Sequence, residues 1–314
     1  MIRSCFHLRR TPVFPKIAHH LVQDEERDGS AHDDKEQSTH DKYRTIATGG
    51  GPLRTPRGKL VVEDLQELFW CWVGRSSFFH GSFSFEMFGA TTQEKAYLAP
   101  FLGFFAVLAG GTAIAHGFEG YAFWMVRAPQ YWIDPLQTFL CAGLLAHWWR
   151  CYELRPPRRP AFAIGIGMVA LVIWIAPQEW LGSPLRREGF DPAFFGTTGW
   201  PYALNLGLRL IRLVIVVPLV EEIFWRGFLL RYLIRDDFTQ IPIGVFSWRS
   251  FAIVTAGFCL EHSPSDWPAA ALTGALYNLV AYQTRSLSAC VLTHAVTNLL
   301  LGGYILRTGQ WGFW

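Results

Sequence analysis

Long apolar runs dominate the chain from about Ala96 onward, and no other feature of the sequence limits its fold as strongly. A helix needs roughly 20 mostly apolar residues to cross a bilayer, and several of these runs approach that length. Trp and Phe gather at the margins of the runs, which is typical of membrane proteins. The sequence therefore predicts an all-α fold, a polytopic transmembrane helix bundle.

About seven segments are apolar enough to be predicted as spans, and the fourth is the longest. The predicted spans are about Ala96–Ala115, Trp132–Trp149, Ala161–Ile175, Leu206–Ile234, Ile243–His262, Trp267–Tyr282 and Leu287–Leu306. The segment Ser247-Trp248-Arg249-Ser250 interrupts the fifth of them. A further, interfacial element is expected between Leu181 and Tyr202, where Gly, Pro and aromatic residues are frequent.

Residues 1–95 form a leader that differs sharply from the rest, because it is polar, charged and rich in His. The stretch from about Leu21 to Arg57 offers little to bury and is predicted to be disordered, whereas LVVEDLQELFWCWV is compatible with one amphipathic helix. Met87 is an alternative start, in which case the leader is not native protein. The predicted organisation is a leader over residues 1–95 and a transmembrane domain over residues 96–314.

Composition excludes some classes of function. The net charge of +3 is too small to indicate a nucleic-acid partner. The six cysteines are scattered without C-x-x-C spacing, so neither a disulfide framework nor a zinc ribbon is expected. The first residues lack the apolar region of a secretory signal.

Orientation follows from the basic residues in short loops, which favour the cytoplasmic side. The loop after the second predicted span is rich in Arg, and the opposite side carries fewer basic residues. The first set is Arg150, Arg155, Arg158, Arg159, Arg231, Arg235 and Arg285, and the second is Arg127, Arg186, Arg187 and Arg307. The bias predicts a cytoplasmic N-terminus, although Arg209 and Arg212 near the outer end of the fourth span weigh against it.

Three polar clusters interrupt the apolar runs, and charge inside a bilayer indicates a functional site. The clusters are Glu221-Glu222-Ile223-Phe224-Trp225-Arg226, Phe258-Cys259-Leu260-Glu261-His262 and His294-Ala295-Val296-Thr297-Asn298. Each lies in or at the end of a different predicted span.

The first cluster places one carboxylate beside a cation. Glu222 and Arg226 are four residues apart and share a helix face, so they are expected to pair. Glu221 points about 100° away from Glu222, which leaves it free for chemistry. Pro218 removes a backbone donor just before the pair and is expected to open a wet cavity at the carboxylates.

The other clusters supply hydrogen-bonding groups. His294 and Asn298 project from one face and suit stabilisation of a developing oxyanion. His262 ends the fifth span and can share a water with a carboxylate from another helix. Together with Glu221 these groups match hydrolysis of a peptide bond without a covalent intermediate. Each also has a structural interpretation, since a buried Glu–Arg pair often holds a bundle together, a lone His is often a core residue, and Phe258 is expected to pack.

The order Glu-Glu-x-x-x-Arg, Phe-x-x-x-His, His-x-x-x-Asn resembles the CAAX-protease and bacteriocin-processing (CPBP) family of intramembrane glutamic endopeptidases, over about Leu206–Leu306. The resemblance implies that Glu221 is the base, that His262 helps to activate water, and that His294 and Asn298 form the oxyanion hole. It implies supporting roles for Glu222 and Arg226. Phe258 is also expected to support the site, and no cofactor or metal is expected. YLAPFLGFF and the terminal GQWGFW are similar to the exosortase-associated branch of the family.

The expected function is hydrolysis of a membrane-associated protein or peptide by a multi-pass protein of the bacterial inner membrane. Three alternatives stay open. Glu221, His262 and His294 include zinc-ligand types, although no H-E-x-x-H is present. In the second alternative the bundle is a non-catalytic immunity or scaffold protein. In the third it is a transporter whose carboxylates and histidines relay protons.

Overall fold

The computed structural model describes residues 90–118, 120–121 and 123–314, all within one compact unit. The disordered leader, its amphipathic helix and the alternative start at Met87 lie outside these residues. Seven long helical segments run through the described part, which contains short helical turns between them and no strand. They are α1 Thr92–Gly117, α2 Gln130–His147, α3 Pro160–Glu179, α4 Gly199–Tyr232, α5 Trp248–Leu260, α6 Trp267–Thr284 and α7 Leu287–Thr308.

The seven segments lie where spans are predicted, and the all-α membrane fold is confirmed. Four of the described helices, α1, α3, α4 and α7, are long and apolar enough to cross a membrane, and the chain is an integral multi-pass membrane protein. The 18-residue helices α2 and α6 are less apolar, because they turn Asp134, Gln137, Thr273 and Asn278 into the interior. Short 3₁₀ turns such as Pro192–Phe195 occupy part of the predicted interfacial element.

Helix α5 corrects the predicted fifth span. It has 13 residues and begins at Trp248, so the polar Ser247-Trp248-Arg249-Ser250 segment is the start of a helix and does not interrupt one. The helix ends at Leu260, and His262 lies in the turn beyond it. The short helix explains how a residue at a helix end reaches a site inside the bundle.

Helix α4 changes its winding around the first polar cluster. Arg212–Val216 and Ile223–Leu229 are π-helical, and they flank an α-helical turn at Val217–Glu222. Wide turns of this kind are frequent at functional sites. The open cavity expected at Pro218 is absent, since Glu221 is 2% exposed and Glu222 is fully buried; neighbouring helices cover the carboxylates instead.

Buried arginines near the start of α4 remove the objection to the predicted orientation. Arg209 forms an ion pair with Asp134 of α2, and Arg212 donates a hydrogen bond of 2.7 Å to Gln137 Oε1. Their exposed fractions are 1% and 2%. Both cations therefore belong to the core and do not count among the loop charges.

Helices α3 and α7 approach each other at a glycine. A Cβ added to Gly167 would lie 2.7 Å from the carbonyl oxygen of Thr293, and the Gly167 carbonyl accepts a 3.1 Å hydrogen bond from Thr297 Oγ1. Only a residue without a side chain fits this contact. The contact fixes the position of α7 along the axis of α3, and α7 carries the third polar cluster.

Gly167→Ala is expected to lower the free energy of unfolding by about 1–3 kcal/mol, because the new methyl group pushes α7 away from α3. Gly165 on the same helix has no atom within 4 Å of an added Cβ, so Gly165→Ala is the matched control. Thermal melting of both variants in detergent checks the expectation. Identical melting temperatures for the two variants would show that the contact is not tight.

Candidate active site

Glu222 is the centre of the buried polar network. Its Oε1 accepts from Arg226 NH1 at 3.2 Å and from His294 Nδ1 at 2.9 Å. An ionised carboxylate only accepts, so Nδ1 is then the donor in the second bond. The expected Glu222–Arg226 pair is therefore present, and it also binds the histidine of the third cluster.

Arg226 has further partners that hold it in place. Its Nε donates to Asn278 Oδ1 at 3.0 Å, and its NH2 donates to the Gly274 carbonyl at 3.0 Å. The guanidinium carbon lies 4.9 Å from the centre of the Phe258 ring, so the cation also has a π partner. Every one of these contacts comes from α5 or α6, which locks α4 against both helices.

Glu221 lies in a different environment although it is the next residue. No donor within the described part of the chain reaches either of its carboxylate oxygens. The carboxyl group of Glu261 lies close to that of Glu221, so the two groups would repel each other if both were ionised. Glu261 in turn accepts from Trp225 Nε1 at 3.3 Å.

His262 presents a free ring nitrogen to the interior. Its Nδ1 lies 2.7 Å from the Phe258 carbonyl oxygen, so Nδ1 carries the proton. Nε2 is then a lone-pair acceptor, and it is buried without a hydrogen-bond partner in the described residues. An acceptor in this state is suited to holding a water molecule.

Phe258 packs against both histidines. Its ring centre lies 5.0 Å from that of His262 and 6.4 Å from that of His294. Gly274 makes room for it, because a Cβ there would lie 3.0 Å from the ring. The structure thus brings Phe258 together with both His262 and His294, in the packing role expected for Phe258.

Asn298 lies one turn beyond His294 on α7. Its Nδ2 donates to the Leu213 carbonyl at 2.8 Å. An amide nitrogen has two protons, so one remains for another acceptor. The contact ties α7 to the first π-helical segment of α4.

The three sequence motifs did not identify several residues of this network as part of the site. Glu261 adjoins Glu221, Asn278 binds Arg226, and the Trp174 ring lies 5.3 Å from His262. Asn278 could have been identified from the sequence, because it is a polar amide within an apolar helix. Glu261 was visible beside His262, but its direction is set by a turn that the sequence pattern does not specify.

The described residues contain no group of three or more His, Cys, Asp or Glu side chains arranged to hold a metal ion. The zinc alternative needs Glu221, His262 and His294 to converge on one point. Instead, His294 Nδ1 is directed at Glu222, and the His262 Nδ1 is directed at the Phe258 carbonyl.

One comparison with known proteins gives a match. Residues 203–300 match the family model described as Rce1-like, Type II CAAX prenyl endopeptidase Rce1-like. The matched region agrees closely with the stretch that carries the three motifs and contains Glu221, His262, His294 and Asn298. No curated protein and no solved structure matches the chain.

Proposed function

We propose, from the match of residues 203–300 to the Rce1-like family model of type II CAAX prenyl endopeptidases, that the chain is an intramembrane endopeptidase acting through a water held by Glu221. The family identifies a CAAX-type membrane protease. The observation that carries the finer assignment is the contrast between the adjacent carboxylates. Glu222 is bound by Arg226 and His294, whereas no donor from the residues that the structure describes reaches Glu221.

In the proposed reaction, Glu221 removes a proton from the water as the water oxygen attacks the scissile carbonyl carbon. His262 Nε2 accepts a hydrogen bond from the other proton of that water and orients it. Glu221 then passes the proton to the amide nitrogen as the C–N bond breaks. The products are a carboxylic acid and a free amine, and no covalent enzyme intermediate forms.

The oxyanion is stabilised in this proposal from α7. When His294 is doubly protonated, Nδ1 donates to Glu222 and Nε2 is free to donate to the oxyanion. Glu222 balances the charge of the imidazolium, which gives the bound carboxylate a part in the reaction. The second amide proton of Asn298 is the other donor.

The function is tested with purified protein in detergent and a mixture of synthetic peptides, each with a polar segment attached to an apolar anchor. Mass spectrometry should find new peptide termini after incubation. A mixture that remains intact with full-length, folded protein would favour the immunity or scaffold alternative.

A chelator separates the proposal from the zinc alternative. A carboxylate-activated water needs no metal, so cleavage is expected to be unchanged by a chelator, and metal analysis should find no stoichiometric zinc. Loss of cleavage that added zinc restores would assign the chemistry to a metal centre.

The substrate proposed from the likeness to the exosortase-associated branch is a sorted membrane protein, without need of a prenyl group. The same likeness supports a bacterial inner membrane as the location.

A further inference from the structure

Contacts between loops define two ends of the bundle. At one end, Arg231 pairs with Glu153 at 2.6 Å and the Arg158 backbone donates to Ser286 Oγ at 3.4 Å. This Arg-rich end collects the loop after α2, the end of α4 and the α6–α7 turn. Basic loops favour the cytoplasm, so the Arg-rich end is expected to face it.

The opposite end holds a cleft of about 570 Å³ between the α3–α4 loop, the turn after α5 and the C-terminal residues. Arg186 forms part of one wall of the cleft. Its side chain pairs with Asp266, and its backbone carbonyl accepts a 2.9 Å hydrogen bond from the Gly312 N–H. The other lining residues are mostly polar or small: they include Gln178, Ser183, Arg187, Glu188, Ser263 and Ser265.

The cleft adjoins the turn that carries His262. Ser263 lines it and follows His262 in the chain. Glu261 precedes His262, and its carboxyl group adjoins that of Glu221. Gln178 lines the cleft from α3, one turn beyond Trp174, whose ring packs on His262.

Several buried polar atoms of these residues and of Glu221 have no hydrogen-bond partner in the described part of the chain. They are Gln178 Oε1, Trp174 Nε1, His262 Nε2 and both carboxylate oxygens of Glu221. Buried polar atoms are nearly always hydrogen-bonded, so such exceptions need a partner that the described residues do not supply. Acceptors and a donor occur together here, and a peptide backbone offers groups to match both.

We propose that this cleft is the entrance of the site and binds the polar segment of a membrane protein next to its span, on the non-cytoplasmic side. The inference rests on the proposed function, and it names the substrate class. The lining charges nearly cancel, since Arg186 is paired and Arg187 is next to Glu188, so backbone recognition dominates over charge. A protein with its cleaved segment in the cytoplasm, as a prenylated cytoplasmic tail has, does not reach this cleft.

Ser265→Cys tests the entrance, because Ser265 is exposed in the cleft. A bulky thiol reagent that cannot cross membranes is expected to label it in intact cells and to lower cleavage of the anchored peptides by about tenfold or more. Thr239→Cys is the matched control, exposed on the loop that follows α4 at the Arg-rich end. It should be labelled only after permeabilisation, with cleavage unchanged. The unsubstituted protein gives the background from native cysteines.

Each of the other possible results would overturn one defined part of the proposal. Labelling of Ser265→Cys only after permeabilisation overturns the orientation, and full labelling with unchanged cleavage overturns the cleft as entrance. A wild-type protein that cleaves no peptide overturns the proposed function itself.

Trp174→Phe examines the route inside the cleft. Phe retains a ring to pack on His262 but lacks the indole donor, so KM should rise severalfold while kcat and the melting temperature stay close to wild type. An unchanged KM would remove Trp174 from the binding path.

Discussion

Glu221→Gln protein is expected to fold and melt like the wild type and to cleave at least about 100-fold more slowly. Removal of a general base typically costs between about 100-fold and 10,000-fold in rate, and an amide cannot take a proton from water. Stability should be preserved because no donor binds the Glu221 carboxylate within the described residues. Cleavage rate and melting temperature are measured on the same detergent preparation.

Glu179→Gln is the control for this substitution. Glu179 lies at the end of α3 and accepts from Tyr304 Oη at 2.5 Å, a bond that Gln can also accept. This variant should keep both its stability and its activity. A stable Glu221→Gln protein with wild-type activity would end the proposed mechanism.

Glu222→Gln should instead destabilise the protein, by about 3–5 kcal/mol for a fully buried ion pair that loses one partner. The change leaves Arg226 without its counter-charge, although its bonds to Asn278 and Gly274 remain. It also removes the charge that faces His294. The free energy of unfolding in detergent is the measurement, and cleavage should fall as well.

Glu153→Gln provides the comparison, since it removes the carboxylate from another Glu–Arg pair. The Glu153 side chain is 48% exposed, whereas that of Glu222 is fully buried. Solvent reaches Glu153, and the buried Arg231 keeps its hydrogen bonds to the Gly227 and Ile241 carbonyls, so the loss should be smaller than for Glu222→Gln. Equal losses for the two variants would contradict the role of Glu222 as a buried anchor.

The membrane fold was predictable because each span is a continuous apolar stretch, and such a stretch is visible in the local sequence. The helix boundaries were less so: α1 and α4 begin several residues earlier than predicted. Polar residues cap or lead these helices, as Thr91 does for α1, and hydropathy gives such positions no weight. For α5 the same limitation made a helix start look like an interruption.

The candidate site was predictable where contacts follow helix periodicity. The pair between Glu222 and Arg226 depends only on their spacing of four residues. The bond between His294 and Glu222 joins residues 72 positions apart, and it depends on the packing of α7 against α4. The approach of Glu261 to Glu221 depends on the turn that ends α5, which no local pattern specifies.

The most direct test of the account is the appearance of new peptide termini when wild-type and Glu221→Gln proteins are incubated in parallel with the anchored peptide mixture. The wild type should release fragments cut at defined bonds, and the variant should release them at least about 100-fold more slowly at equal folded concentration. Fragments that form at the same rate with both proteins would contradict the assignment of Glu221 as the base.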